Sequence, residues 1–295
     1  MFSKTHKSVV FLAILVKLAV GTDLIDRQVT KYGYVVWDGR FLDHSTTDDI
    51  SGWSWDNRDG YAYQWYKHGP GVTDEYLAFD PKFKNPADQQ SKVGVKMTVT
   101  ETSYWTNWDN VVEKVRRTNL IPEGAAAIND PTPVGTGLLY YHFSILRSLI
   151  NPLDVSKRHK FAFFEPEDAW YSPLPYFTEL VFGGAAGENL TWNVANQSHW
   201  TAPWEIDVWQ NFAYAIDFTE HHGHITLHYS TGGNDLVAVS EVIQTNTEST
   251  NHDWCIGQLV EPDGDYVFKE DVYYSGVYIE AGELTPRIAG RGDFK

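Results

Sequence analysis

The chain has 295 residues, 42% of them apolar and 21% charged. That apolar share excludes an intrinsically disordered chain, and no collagenous or low-complexity stretch is present. With 23 Lys+Arg against 39 Asp+Glu, the net charge of −16 argues against nucleic acid or an anionic membrane surface as partner, since both recruit positive charge. Aromatic residues make up 15%, including 12 Trp and 17 Tyr. Such a supply of flat rings suits a recognition surface, and carbohydrate is one ligand of that kind.

The first residues read as a processing signal. Lys4, His6 and Lys7 precede an apolar run over 9–16, and Ala19 and Gly21 supply small residues at the −3 and −1 positions of a cleavage site. The expectation is a secretory signal peptide over 1–21, cut after Gly21, and an extracellular protein over 22–295. Cys255 is the only cysteine. An intramolecular disulfide is therefore excluded, and the fold must rest on its core. Two sequons, at Asn189 and Asn196, match N-glycosylation.

Strand signals recur from there on, as β-branched and aromatic alternation over 34–37, 93–99, 137–145, 160–164, 178–182, 212–218, 225–229, 236–242 and 272–279. Clusters of Gly, Pro, Asn and Asp separate them. The only helical signals are short, such as 111–116. Many short strands between turns predict an all-β fold, a jelly roll or two-sheet antiparallel sandwich with an open groove. No linker or internal repeat divides the chain, so one domain is expected over 22–295, with 286–295 as a loose tail.

An ordered set of segments carries a resemblance. Val36-Trp37-Asp38-Gly39-Arg40-Phe41 is followed by Trp53-Ser54-Trp55, Lys84-Asn85-Pro86-Ala87-Asp88, Arg116-Arg117-Thr118 and Leu120-Ile121-Pro122. Then come Tyr140-Tyr141-His142-Phe143-Ser144, Ala162-Phe163-Phe164-Glu165, Phe177-Thr178-Glu179-Leu180, Asp207-Val208-Trp209, Ala213-Tyr214-Ala215-Ile216-Asp217-Phe218 and Ser275-Gly276-Val277-Tyr278-Ile279-Glu280. This set resembles glycoside hydrolase family 131, the secreted fungal β-glucanases, over nearly the whole mature chain. The resemblance implies a β-jelly roll acting on β-1,3-, β-1,6- and β-1,4-linked glucans, with no metal or organic cofactor.

Glycoside hydrolysis usually needs two carboxyl groups flanking the scissile bond. The resemblance implies one glutamate after Arg-Arg-Thr and another closing Ala-Phe-Phe-Glu. The second is present as Glu165, whereas the first position is Asn119. A histidine implied after the late Asp-Trp pair is replaced by Cys255. An amide neither gives nor takes a proton near neutral pH, and losing such a group costs about 10²–10⁴-fold in rate. Strand periodicity alone puts Glu165 on the face of Phe161 and Phe163, as a solvated strand end or a site acid; the resemblance favours the site.

Glu179, on the next predicted strand, is the first candidate for a substitute carboxylate, if a hairpin brings it near Glu165. Glu113, Glu123, Glu167 and Asp168 are loop acids near the two motifs, and Trp170 and Tyr171 are candidates to roof a groove. Arg117, Asn119 and His142 are candidate substrate-binding residues, each with a structural alternative: a salt bridge, a polar strand residue, a core histidine. The histidines around Gly223 and the acids around Gly264 have the wrong spacing for a metal site, and none is expected. Arg291-Gly292-Asp293 is a chance match. No nucleophile elbow or phosphate loop is present. The reading is a monomeric, secreted β-glucan-active protein. Its two forms are a hydrolase using Glu165 as acid/base and a catalytically impaired glucan-binding relative; a jelly-roll lectin is the third. A second carboxylate facing Glu165 is the feature that separates the first two.

Overall fold

A computed structural model of the chain describes residues 33–41, 47, 63–67, 69–104, 106, 112, 115–122, 134–166, 177–218, 223–247, 252–261 and 269–290. The expected leader with its Gly21 cleavage point lies outside the described residues. So do Trp53-Ser54-Trp55, Glu113, Glu123, Glu167, Asp168, Trp170, Tyr171, the acids around Gly264 and Arg291-Gly292-Asp293.

Strands dominate. In chain order they are β1 (Tyr34–Asp38), β2 (Tyr63–Lys67), β3 (Leu77–Asp80), β4 (Gly94–Val99), β5 (Arg116–Pro122) and β6 (Gly137–Arg147). There follow β7 (Arg158–Phe161), β8 (Phe163–Pro166), β9 (Thr178–Phe182), β10 (Asn189–Val194), β11 (Gln197–Pro203) and β12 (Gln210–Phe218). The last are β13 (Gly223–Thr231), β14 (Val237–Ala238), β15 (Ile243–Thr245), β16 (His252–Glu261) and β17 (Glu270–Ala281). One antiparallel sheet runs β14-β13-β12-β6-β17-β4-β3, with β1 beside β17 and β15 beside β13. The other runs β11-β10-β9-β7-β16-β5-β2, with β8 beside β16. All described residues fall in one compact unit, and two antiparallel sheets of this kind form the expected jelly-roll sandwich.

Alternation of side chains along each strand sorts residues between the core and an outer face. On β6, Leu139, Tyr141, Phe143 and Ile145 enter the core; on β16, Trp254 and Ile256 do so. Trp254 meets Tyr141 edge to face, with ring centroids 4.7 Å apart, and Phe164 packs against both. Each such ring buries about 150–250 Å², so a core of this composition replaces the missing disulfides. The single thiol, Cys255, is free and buried.

Three expectations need correction. The helix expected over 111–116 is not met at its described positions, where Val112 bridges Thr106 and Arg116 opens β5; 111, 113 and 114 lie outside the described residues. The strand expected over 236–242 shrinks to the two residues of β14. The expected loose tail is packed where it is described, since the Leu236 N–H donates to the Pro286 carbonyl. Its far end, 291–295, lies outside the described residues.

Candidate active site

The strand expected over 160–164 is two strands, because the chain turns over at Ala162. Lys160 pairs with Leu259 and Phe163 with Cys255, so the two residues between them, 161–162, run beside three on the other strand, 256–258. Ala162 absorbs the mismatch with a φ of 41°. A one-residue slip exchanges the faces of a strand. Phe161 and Phe164 therefore enter the main core, while Phe163 packs with Cys255, Ile121 and Leu259 in a separate cluster. Glu165 keeps company with Phe163 and not with Phe161, contrary to simple parity.

Odd-numbered residues of β5 share that outer face, which brings Arg117 and Asn119 to Glu165. Arg117, 2% exposed at its side chain, donates from Nη1 and Nη2 to the two carboxylate oxygens of Glu165 at 2.9 and 2.8 Å. Its Nε donates to Asn119 Oδ1 at 2.8 Å. The Cys255 sulfur lies 3.6 Å from Arg117 Nη2 and 3.7 Å from Glu165 Oε2. Burial pushes the Cys255 thiol well above its ordinary value, and the charge of Glu165 adds to this despite Arg117. Arg116, on the opposite face of the strand, lies over Tyr104 and donates to the Glu101 carbonyl.

Gly257 makes room for this cluster. It pairs with Asn119 across the ladder. A Cβ there would stand 2.8 Å from Asn119 Nδ2 and 2.2 Å from the Thr118 carbonyl oxygen. Its φ of 146° suits glycine alone. From the other sheet, the Tyr274 hydroxyl donates to the Gly257 carbonyl at 2.6 Å and accepts from its N–H. Asn119 is fully buried, and its Nδ2 has no hydrogen-bond partner among the described residues.

Glu165 has a second neighbour that the sequence reading passed over. Asp253, on β16, is its direct partner across the antiparallel ladder. Direct partners share a face, with Cβ atoms about 4.5–5.5 Å apart. The Asp-Trp pair was noted only as a landmark, because the stretch containing Gly257 did not read as a strand.

The other candidates disperse. Glu179 lies on β9, which pairs with β7 and β10. It is 1% exposed, accepts from Arg158 and Asn193, and has Lys160 at 3.7 Å. Arg158 and Lys160 also hold Glu261. His142 does not join the Arg117 cluster: it projects from β6 on the outer face of the other sheet, where it bonds Glu280 at 2.9 Å and stacks on Tyr278. Strand parity, with Tyr141 and Phe143 in the core, forces it there. Asn189 and Asn196 are both exposed, Asn196 at the turn between β10 and β11. Among the described residues no group of three or more His, Cys, Asp or Glu is placed to hold a metal.

Residues 35–285 match the model of the glycoside hydrolase 131 catalytic N-terminal domain. The chain belongs to glycoside hydrolase family 131. Two solved structures agree with this. A GH131 β-glucanase catalytic domain from Podospora anserina is 38% identical, with a TM-score of 0.76, covering 88% of this chain and 100% of that one. The catalytic domain of the family 131 protein from Coprinopsis cinerea is also 38% identical, with a TM-score of 0.73, covering 88% and 99%. No curated protein matches the chain. Asn119 and Cys255 both lie against Arg117, the residue that holds Glu165.

Proposed function

We propose that this family 131 protein is a secreted β-glucan hydrolase acting on β-1,3-, β-1,6- and β-1,4-linked glucose, with Glu165 as a catalytic carboxyl group. The observation that carries this reading is the outward-facing Glu165, 20% exposed at its side chain and held by both arms of Arg117. Bidentate pairing orients a carboxylate and favours its ionised form. That suits a nucleophile or base rather than a proton donor. Family membership and the β-glucanase relative support glucan as the substrate. The basic-apolar-small pattern of 1–21 supports export.

A second reading rests on Asn119. Its amide, bonded to Arg117, has no proton to give, so a chain left with one working carboxyl group binds glucan without cleaving it. Oligosaccharide release from β-1,3-, β-1,6- and β-1,4-glucans by the mature protein and by Asn119→Glu separates the two. Release by the unmodified protein is expected. Turnover by Asn119→Glu alone would leave binding as the natural function.

A further inference from the structure

The hydrolytic reading lacks a proton donor. Glu165 accepts from a guanidinium at both oxygens, and Asn119 cannot serve. The missing group must be a carboxyl on the same outer face, within reach of a glycosidic oxygen whose anomeric carbon meets Glu165. Glu179 is engaged elsewhere, by Arg158 and Asn193.

We propose that Asp253 is the second catalytic carboxyl group of this protein, standing in for the acid that Asn119 removes; this rests on the hydrolytic reading above. Three observations converge on it. Asp253 is the ladder partner of Glu165, so the two side chains leave the sheet together. It is partly exposed, as Glu165 is, whereas Asn119 and Cys255 are sealed. Asp253 and Cys255, two residues apart on β16, share one face, and the Cys255 sulfur lies 3.7 Å from Glu165 Oε2, so Asp253 and Glu165 both flank that sulfur.

The division of labour follows from their surroundings. Arg117 neutralises Glu165. Asp253 stands beside that ionised group, which makes it the member of the pair assigned here to deliver the proton. Direct ladder partners have Cβ atoms about 4.5–5.5 Å apart, which lets the two carboxyl groups stand as close as the roughly 5–5.5 Å of a retaining glycosidase, and that arrangement is the one taken here. In the first step a Glu165 oxygen bonds to the anomeric carbon while the bond from that carbon to the glycosidic oxygen breaks. Asp253 gives its proton to the departing oxygen. In the second step water gives a proton back to Asp253, and its oxygen bonds to the anomeric carbon as the ester bond to Glu165 breaks. The product keeps the β configuration.

The test uses the mature protein, Asp253→Asn and Asp253→Glu, after each is shown to bind insoluble β-glucan and to unfold at the parent temperature. Asp253→Asn is expected to lose about 10²–10⁴-fold in glucan hydrolysis. It should lose far less on a dinitrophenyl β-glucooligoside, whose leaving group needs no proton. Azide should restore turnover of that substrate and yield the β-glucosyl azide. Asp253→Glu should recover part of the glucan activity. A merely structural role would lower both substrates equally and give no azide product. Parental glucan hydrolysis by Asp253→Asn overturns the assignment and leaves the hydrolytic reading standing. Binding without release by the parent protein overturns both.

Discussion

Each sheet carries a buried nitrogen-bearing side chain bonded to a carboxylate on its outer side: Arg117 with Glu165 on one, His142 with Glu280 on the other. Their fates differ. Glu280 is sealed, because the chain folds back over it: Thr285 donates to it from both its N–H and its hydroxyl. Leu236 bonds Pro286 just beyond, and Arg287 and Ile288 line the cleft next to His142. Glu165 keeps a fifth of its side chain exposed and looks across at another acid. A buried carboxylate with a bonded partner therefore does not mark a site by itself. What marks it is whether the chain's own segments consume the remaining hydrogen-bonding capacity.

The largest effect that would break this contrast comes from Gly257→Ala. The new Cβ would collide with the Thr118 carbonyl and Asn119 Nδ2 in a backbone conformation closed to alanine. Strain and overpacking together cost about 2–5 kcal/mol. A lowered urea midpoint is the measurement, together with lost hydrolysis as Asn119 and Arg117 are displaced. The other sheet's face should be indifferent to it. An unchanged midpoint would mean that the Gly257 conformation is not what holds Asn119 over the ladder.

A smaller effect sharpens the other side. Burial opposes ionisation of Glu280, but bonds from His142 and Thr285 outweigh it and hold the carboxyl below its usual range. A lowered folded pKa adds stability that is complete above the unfolded value of about 4.3 and is lost as pH falls through the folded value. Glu280→Gln should cost about 1.5–3 kcal/mol near neutral pH. The gap in melting temperature from the parent should narrow below about pH 4.3. A gap independent of pH would mean that the strap over 285–290 is held by packing and not by this carboxylate.

Sheet architecture was legible in the sequence wherever alternation was clean, as in β6, β9, β12 and β17. The expected 178–182 is β9 to the residue. Site assembly was legible in part. The motifs around Arg117, Asn119 and Glu165 named residues that do meet, but the face of Glu165 depends on the turnover at Ala162, which period-two counting cannot anticipate. β16 was missed because Gly257 and Gln258 break its apolar pattern, and Asp253 was missed with it. Gly257 is there for the Asn119 amide lying across it, a tertiary reason with no local signature. For His142 the sequence leaves a site residue and a hydrogen-bonded core histidine equally open; the structure sends Tyr141 and Phe143 inward and sets His142 against Glu280.

The smallest effect concerns Cys255, which sits where the two outer faces differ most. Its thiol is pushed up by burial first, then by the charge of Glu165, with Arg117 opposing. The thiolate is the reactive form, and a buried thiol kept neutral is inert. Iodoacetamide should therefore leave Cys255 unmodified in the native protein near pH 8 and alkylate it once urea unfolds the chain, with labelling under native conditions limited by local opening. Rapid native alkylation of the parent would instead mean that the face opens as a unit. The contrast between a sealed and an accessible carboxylate would then be one of stability and not of construction.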